Sequence, residues 1–310
     1  MSPEVNVILQ EQVQTFCGWP TDTISLDCKN GPRPHTIILF LPGNPGLVQF
    51  YIPLLTKLLE NVGFGYAIRG TSYAGHGFGD TIQYHDKTTY PTMTPRRRRS
   101  LSIPWTVDGQ IQHKFAWLQQ SILQEWTMTA SSSSSSTNDR NIHDEETTHS
   151  SHVLPNLIFL SHSIGSYLVQ QILLLDSTSS SSSPTRGMIA KHTKLIIHLM
   201  PFLRFDPEPY TQKLYLTTVS KLPSVSLCTL KLSSHLASMV PVSWLHLYMN
   251  HLENVYIRNL AIQLLRQPLF AIHFLKLGIH EITTLPCTYQ VCRLYFLSTD
   301  WATHTQNYIH

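Results

Sequence analysis

Charged residues are scarce in this sequence, and neither sign dominates. Of the 310 residues, 13% are Asp, Glu, Lys or Arg, and the formal net charge is +3. So small a charge, with no basic stripe interleaved with aromatic residues, argues against a nucleic-acid partner. A disordered acidic or basic chain is excluded as well, because 42% of the residues are hydrophobic and supply a core.

Paired cysteines and long apolar runs are also lacking. The five cysteines are an odd number and include no C-x-x-C pair, which argues against a disulfide framework or a zinc ribbon. No His pair has metal-ligand spacing such as H-E-x-x-H, so we expect neither a metal nor a cofactor. No stretch of about 18 apolar residues is free of charge, so we expect no membrane-spanning helix.

The chain does contain short apolar runs that alternate with segments of helical spacing. The clearest run, residues 36–41 (TIILFL), has the β-rich apolar character of a strand that is buried on both faces. Further strands are predicted over residues 65–72, 153–160 and 194–199, and helices over 48–61, 107–126 and 165–175. Strands that alternate with helices predict a mostly parallel sheet covered by helices.

The segment 161–165 (SHSIG) lies between a predicted buried strand and a predicted helix. It resembles the G-x-S-x-G elbow of α/β-hydrolases, with Ser161 in place of the first glycine. In that elbow a strained turn lifts the nucleophile above the sheet, and the residues two before and two after it have to be small. We therefore predict Ser163 as the nucleophile. The alternative is an ordinary strand-to-helix turn with Ser163 as its N-cap.

The segment 41–46 (LPGNPG) follows the first predicted strand. Hydrolases of this fold place there the loop that stabilises the oxyanion, which needs two backbone N–H donors fixed before the reaction. We predict the N–H groups of Asn44 and Ile164 as these donors, because Pro45 has no N–H. The alternative is a tight turn without a chemical role.

These motifs resemble those of the lipid-droplet-associated hydrolase family, together with Phe50-Tyr51 after the loop and Thr299-Asp300-Trp301 near the end. The resemblance extends from about residue 37 to the end of the chain. It implies an α/β-hydrolase fold and a carboxylic ester hydrolase of sterol esters or related neutral lipids, active in lipid storage or turnover. The implied partners are a lipid ester and the lipid-droplet or endoplasmic-reticulum surface, on its cytoplasmic face.

The acid and base of a catalytic triad follow the serine in this fold. Asp300 comes directly after the apolar run 294–297, so it is predicted as the acid that orients a histidine, and a turn or helix-capping role is the alternative. The family places its histidine after a further helix and strand. Ten residues follow Asp300, too few for both, so we assign no triad histidine and expect a truncated or divergent C-terminus. His76 is predicted to lie in a surface turn, and a position in the wall of the pocket is the alternative.

For the domains we expect an N-terminal strand and loop region over residues 1–30 and an α/β-hydrolase domain over residues 31–310. Ser-rich flexible insertions are expected near 130–152 and 177–186, because they offer little apolar surface to bury. The long apolar stretch near 205–280 predicts an inserted helical cap. This cap either dips into a lipid surface or simply covers the sheet and the pocket.

Three functions remain open at this point. The first is a serine ester hydrolase that acts on lipid esters at droplets. The second is a catalytically impaired droplet-binding protein that keeps the hydrolase fold, since no triad histidine is identified. The third is a soluble hydrolase of small esters, in which the apolar cap is buried.

Overall fold

The computed structural model describes residues 5–76, 106–123, 154–178, 187–200, 223–266 and 273–280. The strands are β1 (Val7–Phe16), β2 (Trp19–Cys28), β3 (Thr36–Leu41), β4 (Tyr66–Thr71), β5 (Asn156–His162) and β6 (Thr193–Leu199). The helices are α1 (Ile52–Val62), α2 (Val107–Trp117), α3 (Gly165–Thr178), α4 (Met188–His192), α5 (Pro223–Met239), α6 (Val242–Tyr248), α7 (Val255–Leu265) and α8 (residues 273–280).

Several of the sequence-based expectations lie outside these residues. The expected Ser-rich insertion near 130–152 is one, and most of the one near 177–186 is another. Asp300 and the expected C-terminal truncation also fall outside, and the expected cap near 205–280 falls inside only in part.

The six strands form one mostly parallel sheet in the order β1-β2-β4-β3-β5-β6. β3 pairs in parallel with β4 and with β5, and β5 pairs in parallel with β6. β2 is antiparallel to both of its neighbours, β1 and β4. A parallel sheet with helices on both faces and a strand–turn–helix that presents a serine is the α/β-hydrolase fold, as expected from the sequence.

The central strand β3 is buried along its whole length because helices cover both faces of the sheet. Its odd-numbered residues Ile37, Leu39 and Leu41 pack in one core cluster with α2 and α3. Its even-numbered residues Ile38 and Phe40 pack in the other cluster with α1 and β2. This two-residue alternation is why residues 36–41 are apolar without a break.

The N-terminal region contains a β-hairpin that belongs to the same sheet. β1 and β2 pair from Val7↔Cys28 to Phe16↔Trp19, so only Cys17 and Gly18 form the turn. Both turn residues have positive φ angles, +51° and +78°, as a two-residue hairpin loop of the right twist requires. The sequence analysis placed only an unspecified strand and loop here, because β1 is mostly exposed and has no continuous apolar run.

The helices α5, α6 and α7 differ from the rest in their exposure. Leu260 and Leu264 of α7 pack with Leu47, directly after the loop 41–46. Trp244, Leu247 and Tyr248 of α6 are instead 69%, 78% and 78% exposed. The described residues contain no helix with the length and apolar character needed to cross a membrane.

The central position of β3 leads to a prediction about stability. Leu39 is fully buried between two helices, so Leu39→Ala is expected to lower the free energy of unfolding by about 2–5 kcal/mol. The matched control is Leu54→Ala in α1, where the side chain is 52% exposed and the expected loss is below about 1 kcal/mol. Urea denaturation measures both, and equal losses would contradict the packing described.

Candidate active site

Ser163 occupies a strained turn between a strand and a helix. β5 ends at His162 and α3 begins at Gly165, so Ser163 and Ile164 alone connect them. Ser163 has a φ angle of +52°, which costs an L residue about 1–2 kcal/mol. Its side chain is half-buried, whereas Ser161 and Ile164 are buried. The turn has the backbone strain and the half-exposed serine that the elbow motif predicts.

Close packing explains the small residues on both sides of Ser163. A methyl group on Gly165 would lie 2.6 Å from the carbonyl oxygens of Leu41 and Pro42, so no larger residue fits there. Ser161, in place of the usual first glycine, points into the interior. Its Oγ is hydrogen-bonded with His198 Nδ1 at 2.7 Å and with Ser166 Oγ at 3.3 Å. The hydroxyl of Ser161 is thus hydrogen-bonded inside the core and does not face the site.

The loop 41–46, called the oxyanion loop below, passes directly against the elbow. A methyl group on Gly43 would lie 2.7 Å from Ser163 Cβ and 2.5 Å from His162 Nδ1. Gly46 N–H donates to Gly43 O at 2.6 Å and closes the loop into a tight turn. The two motifs that the sequence analysis selected are therefore in contact, although 117 residues separate Gly46 from Ser163 in the sequence.

Tyr51 determines which N–H groups of the oxyanion loop remain for a ligand. The backbone N–H of Gly43 donates to the Tyr51 hydroxyl, and this hydroxyl lies 2.9 Å from His162 Nδ1. Burial raises the pKa of Tyr51 and lowers that of His162, so a protonated phenol is hydrogen-bonded with a neutral imidazole. The Gly43 N–H is therefore already hydrogen-bonded to Tyr51, and the next N–H along the loop, that of Asn44, is the one left for a ligand.

The side chain of Asn44 joins the oxyanion loop to α8. Asn44 Nδ2 donates to Phe274 O at 3.5 Å. Its Oδ1 is buried and has no hydrogen-bond partner among the described residues. α8 is also anchored to α2, since His280 Nδ1 accepts a hydrogen bond from Val107 N–H at 3.1 Å.

His76 is buried, so the prediction of a surface turn is wrong. Its ring is 1% exposed, Nδ1 donates to Pro45 O, and the ring centroid lies 6.4 Å from that of His273. His273 in turn donates from Nδ1 to Gly75 O at 2.6 Å. α8 covers this turn although it lies almost 200 residues later in the sequence, a packing that local pattern cannot reveal. Burial lowers the pKa of His76 to about 3 and also lowers that of His273.

The structure thus brings together three of the four predicted site residues, Ser163, Ile164 and Asn44, at one edge of the sheet. The fourth, Asp300, lies outside the described residues. Within the described ranges, no histidine side chain is hydrogen-bonded to the Ser163 hydroxyl, and no three His, Cys, Asp or Glu side chains are placed to hold a metal ion. Tyr51 belongs to the site as well, and the Phe50-Tyr51 pair after the loop was the signal in the sequence that pointed to it.

Comparison with known proteins relates the chain to one family. The family described as lipid-droplet associated hydrolase matches residues 34–294. The human lipid droplet-associated hydrolase is 25% identical over 141 residues, which cover 46% of this chain and 33% of the human protein. The rat lipid droplet-associated hydrolase is 23% identical over the same length. The chain therefore spans only a third of the length of these relatives.

Known structures with a related architecture are more distant. A bacterial heroin esterase is 12% identical with a TM-score of 0.38, covering 67% of this chain and 48% of the esterase. A laboratory-evolved variant of a potato epoxide hydrolase is 12% identical with a TM-score of 0.41, covering 89% and 76% of the two chains. The fold assignment accordingly depends on the strand order and the elbow of this chain.

The burial of His76 predicts a pH dependence of stability. The pKa of His76 is 6.5 in the unfolded chain and about 3 in the folded protein. Between these pH values the unfolded chain binds a proton that the folded protein does not bind, so the free energy of unfolding falls as the pH drops. Between pH 7 and pH 5 this one group is expected to account for about 2 kcal/mol of the loss.

The test is urea denaturation of His76→Gln at both pH values. Its loss of stability between pH 7 and pH 5 is expected to be smaller than that of the wild type by about that amount. The control, His251→Gln, replaces an exposed imidazole and keeps the wild-type difference. A His76→Gln protein with the wild-type pH dependence would contradict the neutral buried state.

Proposed function

The chain belongs to the lipid-droplet associated hydrolase family, and on that premise we propose that it is a serine ester hydrolase of neutral lipid esters. The proposed substrates are sterol esters or related lipids at the droplet surface, with a role in lipid storage or turnover. The proposed location is the lipid droplet and the endoplasmic reticulum, on the cytoplasmic face. One observation carries the proposal: the backbone of the oxyanion loop lies against the side chain of Ser163.

The geometry supports acyl transfer through Ser163. In the proposed reaction, Ser163 Oγ attacks the ester carbonyl carbon and its proton passes to a base. The electron pair of the carbonyl moves to oxygen, where the N–H groups of Asn44 and Ile164 donate to the negative charge. The alcohol then leaves with a proton, and water releases the acid from the serine. Each lost oxyanion donor costs about 10²–10³ in rate, so two fixed N–H groups are a large part of such catalysis.

No base is assigned among the residues that the structure describes, and Asp300 lies outside them. Asp300 remains the proposed acid, in a role that would fix the tautomer of a histidine. His162 is adjacent to the nucleophile, but its Nδ1 is hydrogen-bonded with the Tyr51 hydroxyl, so it already has a partner on that side. The second candidate function, a catalytically impaired droplet-binding protein, is favoured by the exposed apolar side chains of α6, which could bind a droplet without any catalytic base.

The exposed surface of α5 and α6 supports a lipid partner. Its large apolar side chains project into solvent: Leu232, Leu236, Met239, Val242, Trp244, Leu247 and Tyr248. Exposed apolar patches of this kind are typical of sites that bind proteins or membranes. Trp and Tyr also favour the boundary between a lipid headgroup layer and water. We therefore propose that this face of the expected cap, the α5–α6 face, docks on the phospholipid monolayer of a droplet.

Fluorophosphonate labelling tests the nucleophile. The wild-type protein is expected to become labelled at Ser163, and Ser163→Ala is expected to lose the label because no other serine lies at the elbow turn. The control, Ser177→Ala, removes an exposed hydroxyl at the far end of α3 and keeps the label. A wild-type protein that stays unlabelled, under conditions that label the human relative, favours the impaired droplet-binding protein.

Flotation with triolein droplets coated with phosphatidylcholine tests the lipid surface. Replacing Trp244, Leu247 and Tyr248 by serine is expected to reduce the floating fraction at least about 10-fold, because each buried apolar side chain contributes about 1.5–3 kcal/mol. The matched control replaces three exposed residues of β1, Ile8, Leu9 and Val13, by serine and floats like the wild type.

Two outcomes would contradict the lipid-docking proposal. If the α6 variant floats as well as the wild type, the α5–α6 face is not the docking surface. If the wild-type protein itself does not float, the soluble hydrolase of small esters is the better account.

A further inference from the structure

The segment 72–75, which follows β4, is buried between the oxyanion loop and α2. Ser72, Tyr73 and Ala74 are each at most 1% exposed. A loop with no strand or helix partners has to find hydrogen bonds for its buried backbone elsewhere, or it destabilises the fold. The hydrogen bonds of this segment connect α2 to the oxyanion loop.

Tyr73 holds the oxyanion loop at both ends. Its hydroxyl donates to Pro42 O at 2.6 Å, and its backbone N–H donates to Gly46 O at 2.7 Å. Its ring lies against Gly46, where an added methyl group would lie 2.5 Å from Cδ2. Asn44 lies midway between the two anchored residues, so Tyr73 constrains the peptide that carries the predicted oxyanion donor.

Side chains of α2 hold Tyr73 from the opposite side. Lys114 Nζ donates to Ser72 O and lies 5.1 Å from the centre of the Tyr73 ring. The Gln110 amide donates to Ala74 O and accepts from Ala74 N–H, each at 3.0 Å. Both side chains are completely buried. Burying a lysine and a glutamine without such partners would cost several kcal/mol, so these contacts account for polar residues on an inward face of α2.

We propose that Tyr73 is a positioning residue that fixes the Asn44 N–H for the oxyanion, and that Lys114 and Gln110 fix Tyr73 in turn. The proposal rests on the proposed function of Ser163 and extends it to a residue that does not touch the substrate. An oxyanion donor stabilises the transition state only when it is held in place before the reaction. The oxyanion loop has no regular structure of its own, so this restraint comes from Tyr73 on one side and from Tyr51 on the other.

The experiment uses Tyr73→Phe, which removes only the hydroxyl and keeps the ring against Gly46. The control is Tyr66→Phe, the same change at the opposite end of β4. For Tyr73→Phe, the rate of fluorophosphonate labelling of Ser163 is expected to fall about 10-fold, since the donor is displaced but not deleted. With a p-nitrophenyl ester, kcat is expected to fall by a similar factor while KM stays within about 2-fold. Tyr66→Phe behaves like the wild type in both assays.

Amide hydrogen exchange provides a readout that does not depend on activity. In Tyr73→Phe the peptide covering residues 43–47 is expected to exchange at least about 5-fold faster than in the wild type and in Tyr66→Phe, because one anchor of the loop is lost. Equal exchange in all three proteins would overturn the proposal. Faster exchange with unchanged labelling and kcat would overturn it as well, because the loop would then be held for stability alone.

The two proposals fail in different ways. If wild-type Ser163 is not labelled and no ester is hydrolysed, the proposed function fails whatever Tyr73 does. Amide hydrogen exchange then tests whether Tyr73 fixes the oxyanion loop. Faster exchange in Tyr73→Phe supports this role, and equal exchange refutes it. If the wild type is labelled but Tyr73→Phe matches it, the function stands and the role of Tyr73 is refuted.

Discussion

The whole account depends on one close backbone contact, where the loop after β3 crosses the turn between β5 and α3. Gly165 lies against the carbonyl oxygens of Leu41 and Pro42, and Gly43 lies against the side chain of Ser163, with no space for a methyl group at either glycine. Because β3 and β5 are parallel neighbours, both turns leave the sheet at the same edge. The contact places a strained serine against the backbone of the oxyanion loop, and the proposed acyl transfer depends on this arrangement.

The rigidity of this contact comes from polar side chains of segments that are distant in sequence. Tyr51, Tyr73 and His76 each bond a backbone group of the oxyanion loop, namely Gly43 N–H, Pro42 O and Pro45 O. Burial keeps Tyr51 and His76 neutral, since it raises the pKa of Tyr51 and lowers that of His76. A buried polar group is costly without its partner, so each bond favours one loop conformation over the alternatives. The loop is therefore ordered by its surroundings rather than by its own sequence.

The parts of the structure with local physical causes could be predicted from the sequence. The unbroken apolar run of β3, the helical spacing of α1 and α3, and the small residues of the elbow each form a pattern within a few consecutive residues. Such a pattern can be recognised even though the segments that pack against it are distant in sequence. β5 begins and ends later than predicted, at Asn156 and His162, which places the elbow directly at its end. The burial of His76 and the anchoring roles of Tyr51 and Tyr73 were not predictable, because they arise from segments that meet only in the folded chain. The role of Asp300 stays a prediction.

The reactivity of Ser163 in a Gly43→Ala protein tests the central contact most directly. The added methyl group would lie 2.7 Å from Ser163 Cβ, so the loop has to move and carry the Asn44 N–H away. Gly187→Ala is the control, because its φ of +67° strains an alanine backbone but no atom lies within 4 Å of the added methyl group. The account predicts that fluorophosphonate labels Ser163 at least about 10-fold more slowly in Gly43→Ala than in Gly187→Ala. Equal labelling rates in two folded proteins would contradict it.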